Sequence, residues 1–375
     1  VKSYLANLPY RIDESADRPS RYEDHAEFMT PNPPSDGPFV NIIGWPNNSR
    51  GKQFAMFSHI DTHVLADGWE TEPFEPVTVG SRLYGLGTSD DKGGVAAMLV
   101  AAAALAEAGE SLPVIMSLHG KGGGSRGSLP VFDRLSKADH SIGAVLYVHP
   151  AETGRGLNDI KNAVQGVLDV ELTVTGWRAP PMEVGSPDSS AWEDGGNALD
   201  TCWQALEHLR ASAFAGVLFN IGKMSGGDRI GSVADKTIAS FRLKFDGSNT
   251  WVDLLASARA ELDAFAKTLP ASANNYTFEL QTVGFRTNPG AADWEAPVSQ
   301  VLRNSIEDVT GRAPDAYPNH YAGDIRYPIR LLDVPAYGIG SIGGNFYGPN
   351  EWVDLDDLVK LVAVLIQTLS EWSEL

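Results

Sequence analysis

Cysteine is almost missing from this chain: Cys202 stands alone in 375 residues. That excludes an internal disulfide framework and a thiolate metal cluster. No run approaches the ~18 apolar residues of a membrane-spanning helix. The opening VKSYLANLPY has neither the basic nor the apolar stretch of a secretory signal. Positive charge is scarce, with 29 Lys and Arg against 48 Asp and Glu, a formal charge of −19. Such a chain is mismatched to nucleic acid and to anionic membranes, which are polyanions themselves. There is no G-x-S-x-G elbow, and no Walker spacing follows the glycines at 122–124. These absences predict a soluble, cytoplasmic protein acting on small molecules, with no sequence signature for a Ser or Cys nucleophile.

What is present is ordinary globular composition, 43% hydrophobic and 21% charged. At about 150 residues per domain, the length allows two or three domains. Gln53–Ser58 (QFAMFS) reads as a buried strand ending on the polar cluster HIDTH. Val95–Ala108 is an Ala/Leu-rich helix closed by Gly109. Pro113–Leu118 is a strand, Ser128–Ser136 a short helix and Ile142–Val148 another strand. This alternation is α/β grammar with a mostly parallel sheet flanked by helices. Ligands in such sheets sit at the carboxyl ends of the strands. His59, Asp61, His119, Lys121, His149 and Glu152 all follow strand ends.

The grammar changes near residue 163. A strand of alternating polarity (Gly166–Gly176), a helix (Ala198–Ala211) and two strands (Val217–Lys223, Thr237–Phe245) come first. A helix (Trp251–Leu269) and a strand (Tyr276–Thr282) follow. This βαββαβ order predicts a ferredoxin-like insert over 164–283. Residues 1–163 and 284–375 then form one α/β domain, completed by a helix at Ala296–Gly311, a strand at Val334–Gly338 and a helix at Leu355–Trp372.

The segments SHIDTHV and YGLGTSDDKGG carry a HxD…GxGxxDxKGG pair, followed by GGNALD, SGGDRIGSVAD, AGDIR, VPAYGIG and YGPNEWVDLDDL. Taken together they resemble the co-catalytic zinc metallopeptidases and deacylases related to acetylornithine deacetylase, succinyl-diaminopimelate desuccinylase, aminoacylase and glutamate carboxypeptidase. The resemblance implies a catalytic α/β domain with two central metals, and an inserted domain serving as lid and dimerisation surface. It places the first metal ligand on His59, with Asp61 as its partner, and the shared Asp on Asp90. Simple N-capping of the following helix is the plain alternative for the Asp90-Asp91 pair.

Several family residues are replaced. The Glu-Glu pair, general base and metal ligand, falls on Lys121-Gly122. The carboxylate before Pro falls on His149, the C-terminal His on Tyr347 and the lid His on Pro180. One metal position therefore keeps His59, Asp90 and His149, whereas the other has lost its ligands. The expectation is one divalent ion per chain, zinc first among Zn, Mn, Co and Fe. Lys121, His320 and Tyr347 are the candidates for the displaced acid/base and orienting roles, and His119 and Arg326 for binding substrate. The expected activity is hydrolysis of an amide C–N bond in a small N-acylated amino compound, by a homodimer joined through the insert. An aminohydrolase, a ring-opening or acyl-transfer enzyme, and a binding protein without catalysis remain alternatives on the same chain.

Overall fold

The computed structural model describes residues 1–29, 37–47, 51–120, 123–138, 141–177, 196–228, 233–247, 249–269, 276–318, 320–321 and 323–372. Lys121, Gly122 and Pro180 lie outside the described residues. The chain divides into two compact units, 1–164 with 290–375, and 165–289.

The first unit is built on an eight-stranded sheet. Its order is Tyr10–Asp17, Phe39–Pro46, Val114–Leu118, Gln53–His59, Ile142–Val148, Ala336–Ile339, Asp159–Lys161 and Asp315–Tyr317. The four central strands, from Val114–Leu118 to Ala336–Ile339, run parallel, and antiparallel pairings join them to their outer neighbours. Residues 53–58 and 114–118 are buried throughout, as strands covered on both faces must be. One face carries the helices Gly93–Ala108, Pro297–Thr310 and Leu355–Trp372 over a core including Met56, Ala101, Leu146, Leu302 and Leu365. The other carries Ser128–Ser136 over Phe57, Phe132 and Tyr147. The Ala-rich helix ends where its sequence says it must. Gly109 adopts the left-handed conformation (φ 74), and the N–H of Glu110 donates to Leu105 O. Among the described residues, no helix is long and apolar enough to cross a membrane.

The second unit is an antiparallel sheet ordered Leu218–Gly226, Lys236–Phe245, Ala163–Thr175, Thr277–Thr287. Helices Ala198–Ala211 and Trp251–Thr268 complete the βαββαβ sequence. The expected boundary at 283/284 falls inside the last strand. The register there shifts between Thr282 and Arg286, a bulge that interrupts the alternation on which the expected end rested. Gly284 sits in the bulge because a Cβ there would lie 2.4 Å from Asp169 Oδ2. That carboxylate accepts from Phe285 N and from Arg242 through two parallel bonds.

Candidate active site

Two parallel neighbours in the sheet set the site. His59 ends the strand Gln53–His59, and His149 follows Ile142–Val148 directly, so the imidazoles emerge side by side with centroids 5.5 Å apart. Residues 88–92 close the gap above them and lead into the Ala-rich helix at Gly93. This approach requires glycine: a Cβ on Gly94 would lie 2.2 Å from Val148 O and 2.6 Å from Asp91 Oδ1. Glu351 clasps the turn, its buried carboxylate accepting from the N–H groups of Gly87, Ser89 and Asp90 at 2.7–2.9 Å. Neither Asp90 nor Asp91 caps the helix, so the capping alternative is set aside.

Asp90 Oδ1 lies between the two rings, 2.9 Å from His59 Nε2 and 3.1 Å from His149 Nε2. Burial would raise the Asp90 pKa, but the two imidazoles outweigh it and hold the carboxyl well below its ordinary range. Burial would likewise depress His59, yet its bonds to Asp61 and Asp90 hold its pKa well above the usual value. Asp61 accepts from Gly120 N at 2.7 Å and stands 3.5 Å from His59 Nδ1. Behind His149, the fully buried Lys161 donates to Pro150 O at 2.9 Å and lies 2.8 Å from His149 Nδ1. Burial lowers its pKa to about 8. His149 also stacks on Tyr147 at 4.7 Å, so its ring is fixed from the side and from behind.

Asp91 is the residue that sequence reasoning left out of the ligand set. It is wholly buried, Ser58 Oγ donates to its Oδ2 at 2.5 Å, and its Oδ1 has no hydrogen-bond partner among the described residues. Burial raises its pKa to about 7. His59, Asp91 and His149 offer ligand atoms that all lie within 4.8 Å of one another. Asp91 is therefore a second candidate carboxylate beside the Asp90 expected from sequence. Asp90 lies against both imidazoles, and Asp91 offers a further carboxylate oxygen within 4.8 Å of a nitrogen of each.

The other expected residues divide. His320 is partly buried with its ring 6.4 Å from that of His149, and burial followed by the charge of Lys161 pushes its pKa well below normal. His119 stands with Nδ1 3.8 Å from Asp61 Oδ1. Arg326 is corrected: it is fully buried, and its guanidinium donates to Gly323 O, Gly123 O and Tyr327 Oη, so it braces the glycine turn. Tyr347 is also outside the ligand group. It is 48% exposed, and its hydroxyl donates to Glu152 Oε1 at 2.9 Å. Lys161 and Glu351 were missed as site residues. The motif YGPNEW contained the second, whereas nothing local in DIKN marked the first.

The residues present could hold a divalent cation. A nitrogen of each imidazole and a carboxylate oxygen of Asp91 lie within 4.8 Å of one another, and a nitrogen and oxygen set of this kind suits a transition metal such as zinc.

The sequence profile described as peptidase family M20/M25/M40 matches residues 55–371. A succinyl-diaminopimelate desuccinylase from Rhodospirillum centenum is 27% identical over 341 residues, covering 86% of this chain and 82% of that protein. Aminopeptidase PepT from Bacillus cereus superposes with a TM-score of 0.68 at 16% identity, over 99% of this chain and 91% of that one. An M20 family metallo-carboxypeptidase from Sulfolobus solfataricus gives a TM-score of 0.65 at 17% identity, over 100% and 93%.

Proposed function

This chain belongs to peptidase family M20/M25/M40, whose members hydrolyse amide and peptide C–N bonds, and on that premise we propose that it cleaves the amide of a small N-acylated amino compound at a single divalent ion. The observation that carries this reading is the buried convergence of His59, Asp91 and His149 at parallel strand ends, with Asp90 against both rings. A divalent ion bound there would acidify a water and polarise the scissile carbonyl.

The chain's own groups supply the rest. Asp61 orients His59 from its Nδ1 side, and Lys161 with Pro150 O holds the Nδ1 side of His149. Ligand-orienting partners of this kind fix ring position. His320 is neutral at neutral pH and so presents an acceptor nitrogen. Because its pKa is low, a proton taken there is readily passed to the departing amine. Tyr347 is turned toward Glu152 and supports no second ion. The dimer belongs to the same proposal: Leu218–Gly226 is the outer strand of its sheet, largely exposed, and its free edge is suited to a second copy.

Elemental analysis of metal-replete protein should give one ion per chain, and two would overturn the single-ion assignment. A panel of N-acyl amino acids should release free amine. Deamination of amino-aromatic compounds with no amide cleavage would replace this reading by the aminohydrolase one. Light scattering should give twice the chain mass; a monomer removes the dimer.

A further inference from the structure

The sheet of the first unit has two ends, and a cavity of about 980 Å³ opens at the one away from the imidazoles. Three of its wall residues stand where parallel strands begin. Gln53 starts the strand that ends on His59, Pro113 precedes Val114–Leu118, and Pro335 precedes Ala336–Ile339. The Ala-rich helix links the two ends. It leaves the Asp90-Asp91 turn at Gly93, and Ala106 and its cap Gly109 line the cavity. Its 16 residues put about 24 Å between them. The cavity is therefore a separate place from the candidate active site, although one helix and one strand reach both.

Its walls are rigid and apolar. Pro9, Pro46, Pro113, Pro297 and Pro335 all line it. A proline has a fixed φ and no rotamer freedom to lose when a ligand arrives. Tyr10 Oη donates to Pro113 O at 2.9 Å and fixes that stretch of wall. Between the prolines lie Phe54, Leu112, Val298 and Leu369, with Trp372 edge-on to Phe54 at 5.5 Å. Charge is confined to two exposed lining residues of opposite sign, Lys52 and Glu110. The stem of Lys52 is seated on Gly143, where a Cβ would meet its methylenes at 3.0–3.1 Å, so the backbone itself places that cation.

We propose that this cavity is a second ligand site, for a free amino acid with a large apolar side chain. The apolar walls take the side chain, and few polar groups orient it, as in other small-molecule sites. Lys52 supplies the charge for the carboxylate and Glu110 the charge for the ammonium. A ligand with one of these charges leaves the other rim charge uncompensated, and one without the side chain leaves the walls in water. The proposal does not depend on the hydrolase reading, because none of His59, Asp91 and His149 lines the cavity.

Calorimetric titration of the metal-replete protein tests the site without turnover. The probes are L-phenylalanine, phenylpropanoate, which lacks the ammonium, phenylethylamine, which lacks the carboxylate, and glycine, which lacks the ring. L-Phenylalanine should bind best, the two singly charged probes more weakly and glycine not at all. Lys52→Met should weaken L-phenylalanine and phenylpropanoate by about fivefold and leave phenylethylamine unchanged. Glu110→Gln should weaken L-phenylalanine and phenylethylamine to the same degree and leave phenylpropanoate unchanged. Trp372→Ala should weaken every aromatic probe. Both charge variants alter exposed residues, so their Tm should match that of wild type. The binding that Lys52→Met weakens should persist in His149→Ala. Wild-type protein that does not bind L-phenylalanine, or charge variants that bind all probes as wild type does, overturn the site. Loss of the same binding in His149→Ala places the ligand at the imidazoles and overturns it too. The full pattern in a protein that hydrolyses no amide keeps the site and rejects the hydrolase reading.

Discussion

The two units of this chain treat charge in opposite ways. Among the described residues, every Asp, Glu, Lys, Arg or His less than one-tenth exposed lies in 1–164 or 290–375. The unit 165–289 buries only threonines and Asn288 among polar residues, and its core is apolar, from Leu168 and Val170 to Leu262 and Phe265. Even its cysteine is inert in character, since burial pushes the Cys202 thiol up to about 11. Burying a charge costs several kcal/mol unless it is paired and hydrogen-bonded. A unit that gathers Asp90, Asp91, His149, Lys161, Asp324, Arg326 and Glu351 therefore gives up stability that its neighbour keeps. The excess lies at the carboxyl ends of parallel strands, where α/β sheets bind ligands. That placement assigns the chemistry to the first unit and a conventional fold to the second.

The contrast breaks most sharply at His149. Replacing an outer partner of a metal ligand costs about 10–100-fold in metal affinity, so His149→Ala, which removes a ligand itself, should exceed the upper figure. Metal content after dialysis should fall toward zero, and amine release with it. Retention of one ion per chain by His149→Ala would take this residue out of the centre.

A second test reads the buried charges through pH, in the presence of a chelator. The folded state holds the Asp91 proton up to about pH 7, whereas an unfolded chain releases it near 3.8. The metal-free protein should therefore lose stability as pH rises from about 4 through 7, by an amount on the order of 4 kcal/mol. Lys161 acts in the other window. Its folded pKa is about 8 against 10.5 unfolded, so stability should climb by roughly 3 kcal/mol as pH rises from 8 to 10.5. Urea midpoints measured across this range for wild type, Asp91→Asn and Lys161→Met separate the two limbs. Asp91→Asn should flatten the first limb and Lys161→Met the second. A variant that leaves its limb intact refutes the corresponding assignment.

Legibility in the sequence followed the range of the interactions. The helices Ser128–Ser136, Ala198–Ala211 and Leu355–Trp372 and the strand Ile142–Val148 stand at the bounds their patterns predict, because caps and periodicity are local. The edge hairpin of Tyr10–Asp17 with Phe39–Pro46 was missed, since its partly exposed, charged residues carry no clean alternation. In the site, HxD and DDKGG located the turn and pointed to Asp90, whose Oδ1 lies between the imidazoles, yet they gave no sign that Asp91 is wholly buried beside it. Lys161 stands twelve residues beyond His149 and comes behind it only through the pairing of Asp159–Lys161 with the strand Ala336–Ile339. Arg326 followed an acidic residue in a familiar motif, and only its carbonyl partners show that its donors are occupied.

The smallest expected effect tests the quiet side of the contrast. Helix Trp251–Thr268 opens with a capping box: Thr250 Oγ1 accepts from Asp253 N, and the Asp253 carboxylate accepts from Thr250 N. The bond from Thr250 also holds Asp253 below its usual pKa. Loss of such a cap costs ~1 kcal/mol, so Thr250→Ala should lower the urea midpoint slightly. It should leave metal content, amine release and the two pH limbs unchanged, because nothing at this helix end is buried charge. Thr250→Asp should restore the midpoint, since an aspartate caps as well as a threonine. A change in metal content on removing this cap would show that stability in 165–289 and charge in the first unit are not separable. The division of labour read from burial would then have to be abandoned.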